Sequence, residues 1–187
     1  MALALAVAPV VWFGRNHPLW LLPVIAVLLI PGRLQAWLLR DLYVGRVQLA
    51  NGDFRGAIAR HERLLADLER RPALQYAMWL GRWTWTADLG AMSMNNLGCA
   101  HLELGELDAA HRWFSAALAR DPEYAVPWFN EAVVATLQGD VQVAVHASSR
   151  ARALGYTDGT EDRVTHEVQA LWARFQAAAP AGDPATV

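Results

Sequence analysis

The chain contains no lysine, and all 16 of its basic residues are arginine. A Lys-dependent P-loop or Schiff-base enzyme therefore lacks the side chain its chemistry requires. A single cysteine, Cys99, leaves no intramolecular disulfide framework and no Cys-rich zinc site. Charge is scarce too, at 18 % of residues against about 25 % in ordinary globular domains. The formal net charge of −2 gives no electrostatic footprint for nucleic acid, which is not expected as a partner. What fills the space is apolar. Apolar residues make up 55 %, with nine tryptophans, and the mean hydropathy is +0.15. A chain of 187 residues has room for one domain of modest core, so this surplus needs a very dry core or a membrane.

The surplus sits at the front. Met1 to Phe13 carries no charge, Gly14-Arg15-Asn16-His17-Pro18 interrupts, and Leu19 to Ile30 is again uncharged. A signal peptide fits poorly, because its basic region should precede the apolar run and here Arg15 follows it. Each run is about 12–13 residues, roughly 20 Å of helix, and so falls short of the ~30 Å hydrocarbon core. Two membrane arrangements remain. Leu19 to Leu39 forms one kinked span, placing Trp20 and Trp37 about 25 Å apart at the two interfaces. Alternatively, the two runs form a short helical hairpin that carries Trp12 as well as Trp20. Segment 1–37 is accordingly expected to anchor the chain to a lipid bilayer.

Charge supports an orientation. Residues 32–90 hold nine Arg against six acids, whereas residues 91–187 hold six Arg against twelve acids. The basic stretch directly follows the apolar one, which places the distal bulk in the cytoplasm by the positive-inside rule. The Arg-for-Lys bias points to a GC-rich bacterial genome, and hence to a bacterial inner membrane.

Beyond residue 40 the chain repeats itself. Gly52-Asp53-Phe54, Gly105-Glu106-Leu107 and Gly139-Asp140-Val141 are each followed after two residues by an Ala: Ala57, Ala110 and Ala144. The second and third copies lie 34 residues apart, and the first and second lie 53 apart, which is 34 plus 19. A period of 34 with helix-turn-helix punctuation marks a helical repeat. Within the middle copy, Leu97-Gly98, His101, Ala110, Phe114, Ala117 and Pro122 follow the spacing of a tetratricopeptide repeat. Trp128, Ala132, Ala144, Ala151 and Gly155 continue it, and Gly45, Gly52 and Ala57 form a degenerate upstream copy. Over Leu38–Asp158 the chain thus resembles a tetratricopeptide repeat protein.

This resemblance implies an all-α fold, a short α-solenoid of helix-turn-helix units preceded by the apolar membrane helix or hairpin. The expected organisation runs as repeats at 38–71, 91–124 and 125–158, with a Trp-rich insertion at 72–90 between the first two. A capping helix over 159–177 and a disordered tail over 178–187 follow. The capping helix rests on Val164, Val168, Leu171, Trp172 and Phe175 at helical spacing. In the insertion, Trp79 and Trp83 are four residues apart and Trp85 follows. This tract either extends the preceding helix against the first unit or presents a Trp-rich surface to a membrane interface or partner.

No catalytic constellation emerges. The histidines fall in no metal-ligand spacing, and there is no G-x-G-x-x-G, P-loop or G-x-S-x-G. No enzyme activity, cofactor or metal is expected. The resemblance instead implies a concave surface that holds a protein partner, a peptide or helix. By position its lining is Met92, Asn95, Asn96, Cys99, Leu102 and Glu103 in the middle unit. In the next unit it is Val126, Phe129, Asn130, Val133 and Thr136, with Arg46 upstream. An Asn in such a place bonds either an extended partner's backbone or a neighbouring helix. The apolar lining suits an amphipathic helix or apolar segment. The chain is thus expected to be a membrane-anchored adaptor or assembly factor, or else a permanent structural subunit of a membrane complex.

Overall fold

The computed structural model describes residues 32–80, 86, 88–156 and 161–178, and among them the fold is all-α with no strand. Helical residues 32–38 run into α1 (Arg40–Ala50) through Leu39. The Leu39 N–H bonds the Gln35 carbonyl at 2.8 Å, and its own carbonyl accepts from Tyr43 at 3.1 Å. α2 (Phe54–Arg70) follows, then a 3₁₀ run over Pro72–Leu80. The chain continues as α3 (Leu89–Glu103), α4 (Leu107–Arg120), α5 (Ala125–Gln138) and α6 (Val141–Ala153). α7 (Glu161–Ala178) comes last. Helices pair as α1–α2, α3–α4 and α5–α6, and each pair packs on the next.

The turns explain the recurring glycines. After α3, the Glu106 N–H reaches back to His101 O at 2.9 Å and the Gly105 N–H to Leu102 O at 2.9 Å. After α5, Asp140 and Gly139 make the same two bonds to Ala135 and Thr136. These bonds require a left-handed residue, and Gly105 and Gly139 have φ of 76° and 79°. Aspartates at two of the turns cap the next helices, whereas Glu106 makes no such bond and pairs with His101 instead. Asp53 Oδ1 accepts from Gly56 N–H and Asp140 Oδ1 from Val143 N–H, both at 3.0 Å.

Small residues set how closely each pair approaches. A Cβ added to Gly98 would lie 2.4 Å from the Phe114 ring, and one added to Gly45 would lie 2.7 Å from His61 Nε2. His61 therefore takes, in the first pair, the place that Phe114 takes in the second. It is fully buried. Ser93 Oγ is hydrogen-bonded to the imidazole Nδ1 at 3.1 Å and lies 3.4 Å from the His61 carbonyl. Nε2 is left buried with no partner among the described residues.

Proline ends two helices by the same means. Pro122 holds Asp121 extended (φ −139°, ψ 89°) after α4, and Pro72 holds Arg71 extended (φ −137°, ψ 73°) after α2. The insertion therefore does not extend α2. It breaks at Pro72 and folds back as a 3₁₀ run. Ala77 and Met78 join Leu39, Leu42, Leu64, Leu89 and Met92 in one core cluster, and Gln35 Nε2 donates to Ala77 O at 3.2 Å. Asp88 then starts α3: its Oδ1 accepts from Ala91 N–H at 2.7 Å, and its carboxylate pairs with Arg120 of α4 at 3.0 and 3.1 Å. Burial pushes the Asp88 carboxyl up, but the hydrogen bonds from Arg120, Ala91 and Gly90 and the Arg120 charge hold it below its usual value.

The apolar segment up to residue 31, with Trp12 and Trp20, lies outside the described residues, as do Trp83 and Trp85. Among the described residues no helix is long and apolar enough to cross a membrane. One detail of the single-span arrangement changes. Leu39, taken there as the end of the span, is fully buried in the protein core. Trp37, two residues earlier, is 73 % exposed.

Candidate partner-binding groove

The first helix of each pair, α1, α3 and α5, contributes to a common face, and α3 touches both of the others. Asparagines occupy its middle. Asn130 Nδ2 on α5 donates to Asn95 Oδ1 on α3 at 2.9 Å and contacts Cys99 Sγ at 3.4 Å. Asn95 and Asn130 are thus used on each other, as a contact between neighbouring helices. Asn96 is half-buried, with its Nδ2 enclosed and no partner among the described residues. Burial pushes the Cys99 thiol up to about 12, reinforced by the nearby Glu103 and Glu167. At neutral pH the sulfur is a neutral packing atom.

The apolar candidates divide between two cores. Met92 lies under the insertion with Leu39 and Leu42. Leu102, Phe129 and Val133 lie in a larger cluster with Phe114, and α7 contributes Val164 and Leu171 to it. Phe129 also stacks on Tyr156, with ring centroids 5.0 Å apart. Of the remaining candidates, Val126 is half-buried, while Thr136 and Arg46 are exposed. Glu103 pairs with Arg174 of α7 at 3.2 Å. Burial raises the Glu103 carboxyl, the Arg174 charge opposes that, and Glu167 adds to it. Of the residues predicted to line the groove, Leu102, Phe129 and Val133 share a cluster with α7 and Glu103 pairs with it, whereas Met92 belongs to the other core under the insertion.

α7 does not stack on the outer side of α6. It packs chiefly on α5, reaches α3 through Arg174, and brings the Phe175 ring within 3.7 Å of where a Gly105 Cβ would stand. Val141, Val143 and Val145 of α6 remain exposed, at 71 %, 40 % and 51 %.

Two features escaped the sequence reading. Glu131 of α5 is buried where the middle unit has Leu97, and its Oε1 pairs with His111 of α4 while Oε2 has no partner among the described residues. Burial holds Glu131 above the usual carboxylate range against the pull of His111. The 34-residue register marks this substitution, but only as a departure from apolar. The second feature is a cavity of about 680 Å³ on the other side of the stack, between α2, the insertion, α3 and α4. Leu65, Leu68, Pro72, Met94 and Trp113 line it, with Asp88 and Arg120 at its edge. The 19-residue interruption of the repeat is the signal for it, since it separates α2 from α3. Among the described residues, no group of three or more His, Cys, Asp and Glu could hold a metal ion.

The interval from Ala91 to Tyr124 thus carries an antiparallel pair closed by a left-handed glycine, a Gly98–Phe114 contact and a proline stop. Residues 91–124 match the tetratricopeptide repeat family model. The matched tetratricopeptide unit comprises all but the first two residues of α3, together with α4, and such units are protein-interaction modules. The helix pairs on either side of it share its spacing. No curated protein matches the chain.

Proposed function

We propose that this chain is a protein-interaction adaptor or assembly factor, held at a bacterial inner membrane by its N-terminal apolar segment, with the repeats on the cytoplasmic side. The observation that carries the adaptor reading is the tetratricopeptide match at 91–124, within a stack whose α1, α3 and α5 share one face. The membrane part rests on composition and on one helix face. Arg33, Trp37, Arg40, Tyr43 and Val47 recur at helical spacing and are all exposed. Arg beside Trp and Tyr suits an anionic interface, where the aromatic rings sit at headgroup level and guanidinium groups pair with phosphate.

The test is in-cell crosslinking with identification of the bound protein, paired with fractionation. The adaptor reading expects one protein that exchanges on and off the purified chain. It also expects a chain lacking residues 1–31 to leave the membrane fraction. Co-purification in fixed, non-exchanging stoichiometry would replace the adaptor with a permanent subunit of a membrane complex. A chain that stays soluble at full length would overturn the membrane part.

A further inference from the structure

We infer that the concave face takes its partner as an amphipathic helix, and that α7 is a stand-in for that helix, seated in cis and in competition with it. This rests on the adaptor reading and specifies its ligand. The first observation is where α7 lies. A helix that only closed the end of the stack would pack along α6, yet α7 packs chiefly on α5 and meets Val141 and Val145 of α6 only around an open cleft beside Val164 and Thr165. α7 instead covers groove positions of two units, Leu102 on α3 and Phe129 and Val133 on α5. The second observation is how it is held. Val164, Val168, Leu171 and Phe175 recur at i, i+4, i+7 and i+11, and all four pack on that cluster. Glu103 of the groove meets Arg174 of α7 at 3.2 Å, and Arg174 also lies 3.8 Å from Glu167 of its own helix.

The ligand chemistry follows from this seat. A partner helix should present four apolar side chains at the α7 spacing, with Arg or Lys just before the fourth to meet Glu103. Tethering α7 to the stack gives it an effective concentration in the millimolar range for a short linker, so a partner must outcompete a local helix. The apparent affinity of the intact chain is then the groove's own affinity reduced by the fraction of time α7 is out.

The probe is a fluorescein-labelled peptide of residues 161–178, titrated by anisotropy against the full chain. The double variant Leu171→Asp/Phe175→Asp releases α7, and the labelled peptide is expected to bind it at least tenfold tighter than wild type. Arg174→Glu, which replaces the cation between Glu103 and Glu167 with a third carboxylate, should tighten peptide binding several-fold. A released variant with wild-type far-UV circular dichroism and a cooperative melt that does not bind the peptide would overturn the inference. Equal binding by wild type and Arg174→Glu would do the same, and this arm decides alone if the double variant fails to fold. A crosslinked partner that binds wild type and released chain equally would overturn the competition while leaving the adaptor standing. Absence of a partner for either form would overturn the adaptor reading itself.

Discussion

His61 offers a prediction whose size can be worked from its surroundings. Its imidazole is fully buried, with Nδ1 engaged by Ser93 and Nε2 unpartnered. Burial, helped by the Arg46 charge and opposed by Asp41, lowers its pKa from 6.5 to about 4. Because the folded pKa is depressed, the unfolded chain binds the proton first as pH falls. Stability is therefore complete above pH 6.5 and is lost progressively down to about pH 4. At pH 5 the unfolded imidazole is almost wholly protonated and the folded one largely neutral, so this group costs about 2 kcal/mol relative to pH 7. With a urea slope of about 2 kcal/mol/M, the midpoint should drop by about 1 M. His61→Phe removes the titration, and the gap beside Gly45 that takes the imidazole resembles the one beside Gly98 that takes Phe114. At pH 7 the variant should lie within about 1 kcal/mol of wild type, since it loses one hydrogen bond and one orphaned buried nitrogen together. Urea titrations of full-length wild type and His61→Phe at both pH values, followed by circular dichroism, isolate the residue, because every other titrating group is common to both. If the two midpoints move in parallel between pH 7 and pH 5, His61 is not the neutral buried base described.

Three further outcomes are expected. Gly98→Ala drives a methyl to within 2.4 Å of the Phe114 ring and should cost about 2 kcal/mol, or roughly 4–8 °C in Tm; Phe114→Leu in the same chain should recover part of it, and a calorimetric scan without that recovery refutes the contact. Asp88→Ala removes both the α3 cap and the Arg120 pair and should lower stability by about 2 kcal/mol. Arg120→Ala, which keeps the cap, should cost clearly less in the same denaturant titration. The Cys99 thiol, half-buried and pushed up to about 12 chiefly by burial, should react with a disulfide reagent at pH 8 far more slowly than a free thiol; reaction of the native chain at the rate of a free thiol would refute this environment.

The helix pairs were legible because their signals are local. The glycines at 105 and 139 are dictated by bond pairs that close within six residues, and Gly98 and Phe114 face each other at a spacing that antiparallel helices impose. The end of α2 was legible too, but in a shifted place: α2 has 17 residues against 14 in α4, and Pro72 falls three residues later in register than Pro122. A fixed-period comparison therefore misses this stop, whereas the rule that the residue before proline is extended finds it. The 3₁₀ fold-back of the insertion was not legible. Its stability comes from Ala77 and Met78 meeting Leu39 and Leu42, contacts about 35–40 residues distant in sequence that no local period encodes.

The candidate groove marks the same limit more sharply. The periodicity of Val164, Val168, Leu171 and Phe175 shows that one face of α7 is buried, but a period carries no address, and stacking on α6 or lying over α5 would satisfy it equally. The deciding signals are single long-range contacts, Arg174 with Glu103 and Phe175 with Gly105, and each residue looks ordinary in its own stretch. This changes which substitutions can interrogate the groove. Phe129 reads from sequence as an open contact residue. In the fold it is 6 % exposed between Tyr156 and the cluster that α7 completes. Phe129→Glu would bury a charge without a partner, at a cost of several kcal/mol, and so would report on folding rather than on binding. The informative positions are at the boundary, where Arg174 is 51 % and Glu103 23 % exposed. There a change of charge alters the seating of α7 while leaving the core contacts of the repeats in place.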